Sequence, residues 1–341
     1  MTNENTNNLT ERPLVSLCLM CYNQEKYIGE AFRAALAQDY SPLEIIVSDD
    51  CSTDNSFSII QAIAKEYKGP HKIILHRNET NKKISGNWSQ LCSLANGELL
   101  VKADGDDISY PNRVSSIVFD WIRNDKKAVL ISHLSEKINL MNETLEFTDN
   151  TVVGWDNRSK SDIYTGNGFF HSGAVSAYNR TLFDRFGEIE IYDAADDTVF
   201  VGRAILSGQI RVVGVPLVKY RIGSGETTLG RGFRRSMSRG LSLAAEANKQ
   251  NLLDLEHIKN SLTEAQYKEF YEIFSSRLEH HLTVLKLYQG KSFRERLNGY
   301  KGTYKGAVLS KSWLVCVILL LPEKIGDWIL MLMQKIQKLF R

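Results

Sequence analysis

Over the first 130 residues, short apolar runs alternate with segments whose apolar positions recur at helical spacing. Residues 27–38 carry this helical pattern, and Asp54 stands where its side chain can cap a second helix. The apolar runs have the length of strands and are rich in Val, Ile and Leu, like strands covered on both faces; they are residues 14–20, 43–47, 72–76 and 98–103. The alternation predicts a doubly wound, mainly parallel α/β sheet, which binds ligands at the carboxyl ends of its strands.

Beyond residue 127 the pattern becomes mixed. Helices are predicted over residues 180–186 and 197–206, and from residue 236 to 289 the chain has a helical pattern throughout, with Ser261 and Glu264 as a capping box. A loop with four glycines follows the last strand. The predicted strands are residues 128–132, 136–140, 174–178, 210–213 and 217–221.

The composition narrows the class of protein. The chain has 341 residues, of which 43% are hydrophobic and 24% charged, values typical of a globular protein. Lys and Arg number 42 against 40 Asp and Glu, so the net charge of +2 argues against a surface built to hold nucleic acid. Five cysteines favour a reducing compartment over a disulfide framework, and the polar N-terminus offers no secretory signal. A cytoplasmic location is expected.

Carboxylates follow two of the predicted strands. Asp49 and Asp50 come after the second strand, and Asp104, Asp106 and Asp107 come after the fourth. Residues two apart in an extended turn face the same way, so Asp104 and Asp106 can converge on one Mg²⁺ or Mn²⁺ whose open positions accept diphosphate oxygens. A solvated acidic loop is the alternative.

The order of these motifs resembles a known family. The segments that carry the resemblance are residues 15–23, 27–28, 44–54 and 96–107. Together they resemble family 2 of the glycosyltransferases, over roughly residues 13–221. The resemblance implies a GT-A fold that binds a nucleotide-diphospho-sugar, with inverting transfer of the sugar to an acceptor hydroxyl. It also implies a Mn²⁺ or Mg²⁺ cofactor.

The resemblance assigns the donor-binding roles by position. Tyr22 and Asn23 correspond to the family's nucleotide-binding pair, with Tyr22 against the base. Asp50, beside Asp49, accepts from the edge of the base, and Asn87 lies near the nucleotide. The resemblance also implies contacts to ribose, metal and diphosphate: Asp104 for ribose and metal, Asp106 and Asp107 for metal, and Arg221 for phosphate.

The acceptor side of the site is expected in the second half of the domain. Asp196 and Asp197 stand at the start of a predicted helix and resemble the family's Glu-Asp pair, with Asp197 as the general base and Asp196 as a neighbour or cap. The alternative is that both carboxylates only complement the helix N-terminus. Trp155, in a polar excursion, and Gly173 are the candidate acceptor contacts.

The C-terminus predicts contact with a membrane surface. Residues 313–321 form an apolar run of nine, too short to span a bilayer. From residue 325 to 340, apolar side chains recur at helical spacing beside several lysines, which is typical of a helix lying in the membrane interface. Docking of this helix on the catalytic domain or on a second subunit is the alternative.

These observations predict a tail at residues 1–12, a catalytic domain at 13–235, a helical extension at 236–310 and a membrane-associating segment at 311–341. Within the catalytic domain, residues 13–127 would bind the nucleotide and residues 128–235 the acceptor.

The predicted protein is a peripheral glycosyltransferase on the inner face of the cell membrane. It would take a UDP-sugar as first candidate donor and a glycan or lipid-linked glycan of bacterial O-antigen or capsule synthesis as acceptor. A homo-oligomer is left open. A sugar nucleotidyltransferase and a noncatalytic membrane-bound module that binds sugar nucleotides are the competing hypotheses.

Overall fold

The computed structural model describes residues 12–147, 173–224 and 233–289. Outside these residues lie all but the last residue of the predicted N-terminal tail, Trp155, residues 290–310 of the predicted helical extension and the predicted membrane segment. The first half alternates strands and helices in chain order. These elements are β1 (Val15–Cys21), α1 (Ile28–Leu36), β2 (Leu43–Asp49), α2 (Ser56–Glu66), β3 (Lys72–Arg77), α3 (Lys83–Leu94) and β4 (Leu99–Asp104).

The second half is less regular and ends in two long helices. Its sheet elements are β5 (Ile108–Ser109), β6 (Ala128–Ile138), β7 (Thr144–Phe147), β8 (Ser176–Asn179) and β9 (Gln209–Arg221). Its helices are α4 (Arg113–Arg123), α5 (Thr181–Phe186), α6 (Asp196–Ser207), α7 (Phe233–His257) and α8 (Glu264–Gln289).

The described strands form one sheet of nine, in the order β3-β2-β1-β4-β8-β6-β9-β5, with β7 paired to β6. β1 pairs in parallel with β2 and β4, and β2 pairs in parallel with β3. β8 runs antiparallel between β4 and β6, so it joins the parallel half to the mixed half. The mixed α/β fold with a mainly parallel sheet is confirmed.

Two predicted pairs of strands are each one strand in the structure. Residues 133–135, which lie between the two strands predicted within β6, are buried, and His133 accepts a hydrogen bond from Arg113 Nε at 3.0 Å. In β9 the break was predicted around Pro216, which has no N–H to donate. There the register shifts between the pairs His133–Val213 and Leu134–Pro216, so a bulge accommodates the proline and pairing continues.

Helices α3 and α4 were not predicted. α3 escaped because four of its buried positions are Ser85, Gly86, Asn87 and Ser89, so its inner face is not apolar. This inner face reaches the carboxyl end of β2 through Asn87. The helix therefore brings a polar side chain into the site, which hides it from a search for apolar periodicity.

The helical segment predicted over residues 236–289 consists of two helices, and the second begins close to the predicted capping box. A 3₁₀ turn at Lys259–Ser261 separates α7 from α8. The capping box at α8 is formed by Thr263 and Gln266, not by Ser261 and Glu264. The Gln266 N–H donates to Thr263 Oγ1 at 3.2 Å, and the Thr263 N–H donates to Gln266 Oε1 at 3.0 Å.

The core has one layer on each face of the sheet. Cys18 lies in the layer that contains Trp88 and Phe200, whereas Cys21 lies in the layer that contains Phe32. These two cysteines, three residues apart in β1, therefore point to opposite faces of the sheet and cannot bind one metal ion. α7 and α8 contribute to the first layer, for example through Phe274, and thus share a core with the sheet. None of the helices in the described ranges is long and apolar enough to cross a bilayer.

Candidate active site

The sheet brings three of the predicted motifs to one edge. In the parallel register Cys21 lies opposite Asp49, and Met20 lies opposite Asp104. The residues that follow β1, β2 and β4 therefore meet at the carboxyl ends of adjacent strands, where a doubly wound sheet binds its ligand.

Of the two predicted nucleotide contacts after β1, Tyr22 is accessible, and Asn23 links this turn to the turn after β2. The Tyr22 side chain is 37% exposed at this edge, so its ring is accessible to a ligand. Asn23 has a φ of 51° and is tied to the turn after β2. Its N–H donates to Ser52 Oγ at 2.9 Å, and its Oδ1 accepts from the Thr53 N–H at 2.9 Å.

Asp49 and Asp54 act locally in the structure. Asp49 is fully buried, lies 3.2 Å from Arg77 Nε and accepts from the Ser52 N–H at 3.0 Å. Asp54 accepts from the Ser56 N–H, at the start of α2, at 2.9 Å. Both carboxylates stabilise the turn on which Asp50 stands.

Asp50 belongs to a buried polar network. Its Oδ1 accepts from Asn78 Nδ2 and from the Lys82 N–H, both at 2.8 Å. Asn78 also donates to Asn87 Oδ1 at 3.1 Å, and Asn87 accepts from Ser48 Oγ at 2.6 Å. Burial raises the pKa of Asp50. Asn78 was not among the predicted site residues, although its place directly after β3 was a usable signal.

The turn after β4 concentrates negative charge. Asp104 and Asp106 are partly exposed, and Asp107 is buried. Asp107 Oδ1 accepts from the Arg221 N–H at 2.8 Å, while its Oδ2 has no hydrogen-bond partner among the residues described. Burial first, and then the charge of neighbouring Asp106, raises the pKa of Asp107 well above the usual range.

This turn fits a divalent cation that is shared with a ligand. Burial and then the charge of Asp104 raise the pKa of Asp106, so the two carboxylates repel each other at short range and a cation would relieve this repulsion. Across the described ranges, no group of three or more His, Cys, Asp or Glu side chains is arranged to hold a metal. One or two carboxylates plus phosphate oxygens is the usual set for Mg²⁺.

Arg221 supports the same turn from β9. Its Nε donates to the Asp106 carbonyl at 2.8 Å and its Nη2 to Glu30 Oε2 at 2.9 Å, while Nη1 donates to Asn142 Oδ1 at 2.5 Å. The side chain is only 1% exposed. The contact with a phosphate stays a prediction, and it requires part of this network to open.

Asp196 and Asp197 begin α6, and their surroundings differ. Asp196 is buried and its Oδ2 lies 3.0 Å from Lys102 Nζ. Asp197 is partly exposed, and its Oδ1 accepts from the Thr198 N–H at 2.6 Å. Burial raises the pKa of Asp196 to about 6 and also raises that of Asp197. A carboxylate with a raised pKa is a better proton acceptor than an ordinary surface aspartate.

Lys102 is the charged residue that the sequence analysis missed. It lies in β4, two residues before Asp104, and its Nζ contacts Asp104 Oδ1 at 3.4 Å as well as Asp196. The usable signal was a lysine inside an otherwise apolar strand, because such a position is buried and requires a charge partner.

Gly173, a predicted acceptor contact, lies against Lys102. A Cβ built at Gly173 would lie 2.3 Å from Lys102 Nζ. The structure thus brings Gly173 to the carboxylates of β4 and α6, and its contact with an acceptor stays a prediction. The predicted roles of Tyr22, Asp50 and Asp197 likewise remain predictions, now with a common location.

Comparison with known proteins gives two informative relatives. The chain is 35% identical over 106 residues to the putative glycosyltransferase EpsE of Bacillus subtilis, covering 31% of this chain and 37% of EpsE. It is 33% identical over 107 residues to the putative colanic acid biosynthesis glycosyl transferase WcaA of Escherichia coli, with the same coverages of 31% and 37%. The matched part thus spans well under half the length of either relative.

Solved structures show the same fold at low identity. Residues 1–349 of S. aureus TarS match with a TM-score of 0.58 and 17% identity, over 91% of this chain and 82% of that one. The mannosyltransferase PcManGT of Pyrobaculum calidifontis, solved with GDP-Man and Mn²⁺, matches with a TM-score of 0.57 and 17% identity, over 95% and 91%. The GT-A fold is therefore confirmed.

The family match is broader than these pairwise ones. The family model described as "Glycosyl transferase family 2" matches residues 16–187, just over half of the chain, and includes β1 to β4 with their carboxylate turns. The match ends before Asp196, so the pairing of this residue with Lys102 is information that only the structure adds. With the family model, the fold and the motif order in agreement, the chain belongs to glycosyltransferase family 2.

Proposed function

We propose that this protein is an inverting glycosyltransferase that moves a sugar from a nucleotide-diphosphate donor to an acceptor hydroxyl. The observation that carries the proposal is the meeting of two carboxylate groups from separate elements. Asp104 ends β4 and Asp106 follows it, whereas Asp196 and Asp197 begin α6. Lys102 joins the two groups through contacts of 3.4 and 3.0 Å.

On this proposal the turns after β1 and β2 bind the nucleotide. Tyr22 packs against the base, and Asp50, held in place by Asn78 and the backbone of Lys82, accepts from the base edge. TarS has been solved with UDP-GlcNAc and PcManGT with GDP-Man, which supports a sugar nucleotide as the donor class. A UDP-sugar is the first candidate.

The turn after β4 binds the diphosphate end. Asp104 and Asp106 would hold Mn²⁺ or Mg²⁺, with the buried Asp107 beside them, and such a cation stabilises negative charge on the leaving group. Arg221 keeps the turn in place through the Asp106 carbonyl. The Mn²⁺ in PcManGT supports this assignment.

The proton of the acceptor hydroxyl would pass to Asp197. Its raised pKa suits a general base, and the hydrogen bond from the Thr198 N–H fixes one of its oxygens. Asp196, buried against Lys102, supports the start of the helix. The reaction forms a bond from the acceptor oxygen to the anomeric carbon and breaks the bond from that carbon to the diphosphate oxygen.

The experiment measures release of nucleoside diphosphate from UDP-, GDP- and dTDP-sugars with Mn²⁺. We expect turnover of one donor class, and Asp106→Asn should abolish Mn²⁺-dependent donor binding while the fold remains intact. The matched control is Asp125→Asn, whose exposed carboxylate pairs with Lys127 away from the site. If Asp106→Asn retains metal-dependent binding, the metal assignment is wrong. If no donor is turned over, the chain is a binding module.

A glycan on a lipid carrier is our proposed acceptor, in synthesis of a bacterial surface polysaccharide such as O-antigen or capsule. The description of WcaA as a colanic acid biosynthesis enzyme supports polysaccharide synthesis. The amphipathic pattern of residues 325–340 supports peripheral contact with the inner face of the membrane, where anionic head groups attract each basic residue by about 1 kcal/mol.

Liposome sedimentation tests the membrane contact. The full chain should sediment with anionic liposomes at low salt, and a chain ending at Ser310 should stay in the supernatant while it retains donor hydrolysis. The truncated chain should lose transfer to a lipid-linked acceptor more than transfer to a short soluble one. If the full chain stays in the supernatant at low salt, the terminal segment contacts the domain itself or a second subunit.

A further inference from the structure

Lys102 is a buried lysine with two carboxylate partners. Its side chain is 5% exposed, and its Nζ lies 3.0 Å from Asp196 Oδ2 and 3.4 Å from Asp104 Oδ1. A single ammonium group therefore joins the turn after β4 to the first turn of α6.

The surrounding backbone is shaped for this side chain. A Cβ at Gly173 would lie 2.3 Å from Lys102 Nζ and within 3.1 Å of its Cδ and Cε. The ring of Trp88 lies on another side, with its centroid 6.0 Å from Nζ. Since any larger residue at position 173 would displace the ammonium, the glycine and the lysine act as a pair.

The two arginines that contact the backbone of Lys102 and Asp106 are committed to these and other local contacts. Arg113 donates to the Lys102 and Ala174 carbonyls, both at 2.7 Å, and Arg221 binds the Asp106 carbonyl and Glu30. Both fix the backbone of the site. The side-chain carboxylates of Asp104 and Asp196 are instead joined by Lys102.

We propose that Lys102 is a positioning residue for transfer, which holds the start of α6, and with it Asp197, at a fixed place relative to Asp104. This inference rests on the proposed function. Because Asp197 directly follows the aspartate that Lys102 binds, movement of Asp196 moves the base. The ammonium also opposes a cation at Asp104, because two positive charges then share one carboxylate.

These two effects of Lys102 have opposite signs, which separates positioning from a general structural role. Removal of the ammonium should strengthen binding of a divalent cation, since a nearby like charge is lost. The same removal should lower turnover, since the base is no longer held in place. A lysine needed only for folding would, on removal, weaken cation binding and turnover together.

The test uses the full chain with Lys102→Met, and Mn²⁺ alone as the first probe. By calorimetry, the variant should bind Mn²⁺ about fivefold more tightly, given a repulsion on the order of 1 kcal/mol. Its kcat for transfer should fall about 10- to 100-fold, because a small misplacement of reacting groups has an effect of this size. The donor KM should change by less than about threefold, because KM reports ground-state binding.

Gly173→Ala is the second variant, and it leaves Lys102 in the chain. The added methyl group displaces the flexible end of a side chain and not the backbone, so the fold should remain intact. Tighter Mn²⁺ binding and lower kcat are expected again. In the double variant kcat should be within about twofold of that of Lys102→Met, since the two changes remove the same contact.

Two matched controls exclude general effects of these substitutions. Lys72→Met removes a lysine that lies 3.5 Å from the buried Glu44, in another part of the sheet. Gly240→Ala adds a methyl group where nothing lies within 4 Å. Neither should change Mn²⁺ affinity or kcat.

The outcomes distinguish this inference from the proposed function. If the wild type turns over a donor and Lys102→Met binds Mn²⁺ no more tightly, or retains its kcat, the positioning role is wrong while the enzyme assignment stands. If Gly173→Ala behaves like Gly240→Ala, the coupling of glycine and lysine is wrong. A wild type that neither binds Mn²⁺ nor turns over any donor would overturn both proposals.

Discussion

Helix α6 carries one buried charged side chain near each of its ends, and the two differ in whether the charges around them are matched. Toward its C-terminal end, Arg203 is completely buried and donates to both oxygens of Asp254, at 2.7 and 3.1 Å. Its Nη1 donates to the Gly187 carbonyl at 2.8 Å, and Gln250 donates to Asp254 Oδ1 at 3.1 Å. One cation therefore meets one carboxylate, with further hydrogen bonds to both.

At the first turn, roughly two helical turns away, the charges do not balance. Lys102 faces Asp196 and Asp104, with Asp197 on the next residue. The pKa values of Asp196 and Asp197 are raised, mainly by burial.

The contrast teaches how to separate a structural ion pair from a functional one on the same helix. A buried pair with matched charge and complete hydrogen bonding stabilises one packing of α6 against α7. Surplus carboxylates at the carboxyl ends of the strands carry an electrostatic cost that is typical of a site where charge changes during reaction.

The largest effect we predict is on turnover in Asp197→Asn. Asparagine keeps the oxygen that accepts from the Thr198 N–H but cannot take a proton, so kcat should fall about 10²- to 10⁴-fold with donor affinity near wild type. Steady-state kinetics and donor titration measure the two quantities. The same change at the other pair, Asp254→Asn, should leave the kcat of the folded protein within a few-fold. Equal losses of affinity and turnover in Asp197→Asn would place Asp197 with the structural pair.

The next effect is on stability in Asp254→Ala. The substitution leaves the Arg203 guanidinium buried without its carboxylate, so the free energy of unfolding should fall by about 3–5 kcal/mol, as measured by urea denaturation. Replacing both partners, as Arg203→Met with Asp254→Leu, should recover most of this loss. A double variant as unstable as the single one would mean that the pair contributes more than charge balance.

A smaller effect concerns the pH dependence of stability. The pKa of Asp196 is raised to about 6 in the folded state, so the folded protein binds its proton more tightly than the unfolded chain does. Its contribution to the free energy of unfolding therefore falls as the pH rises from about 4 to about 6, by on the order of 1–3 kcal/mol.

Urea denaturation of the wild type and Asp196→Asn at several pH values checks this sign. Asparagine does not titrate, so the difference in stability between the two proteins should shift toward the variant as the pH rises through this window. A shift toward the wild type would mean that Lys102 lowers the pKa of Asp196 more than burial raises it.

The smallest effect is expected at a partly exposed pair. Arg211 Nε lies 2.8 Å from Asp120 Oδ2, and the two side chains are 21% and 22% exposed. Water screens this pair, so Arg211→Met should lower the free energy of unfolding by at most about 1 kcal/mol. A loss as large as that of Asp254→Ala would show that burial does not separate the two classes of pair.

The amino-acid sequence by itself determined the elements that depend on neighbours along the chain. The apolar runs of β1 to β4 and their order predicted the parallel sheet, because a strand covered on both faces needs a continuous apolar run. The positions of Asp50, Asp104 and Asp106 directly after these strands placed them at one edge of the sheet. The family motifs lie in this same half of the chain.

Only the tertiary structure decided the contacts between distant segments. Lys102 and Asp196 are far apart in the sequence, and although a lysine inside an apolar strand requires a charge partner, nothing local to either residue identifies that partner. The strand pairing β4–β8–β6 and the packing of α6 bring them to 3.0 Å, and Gly173 leaves room for the lysine side chain. A local pattern reports which side chains must leave water, whereas the identity of the group that compensates a buried charge depends on how the whole chain packs.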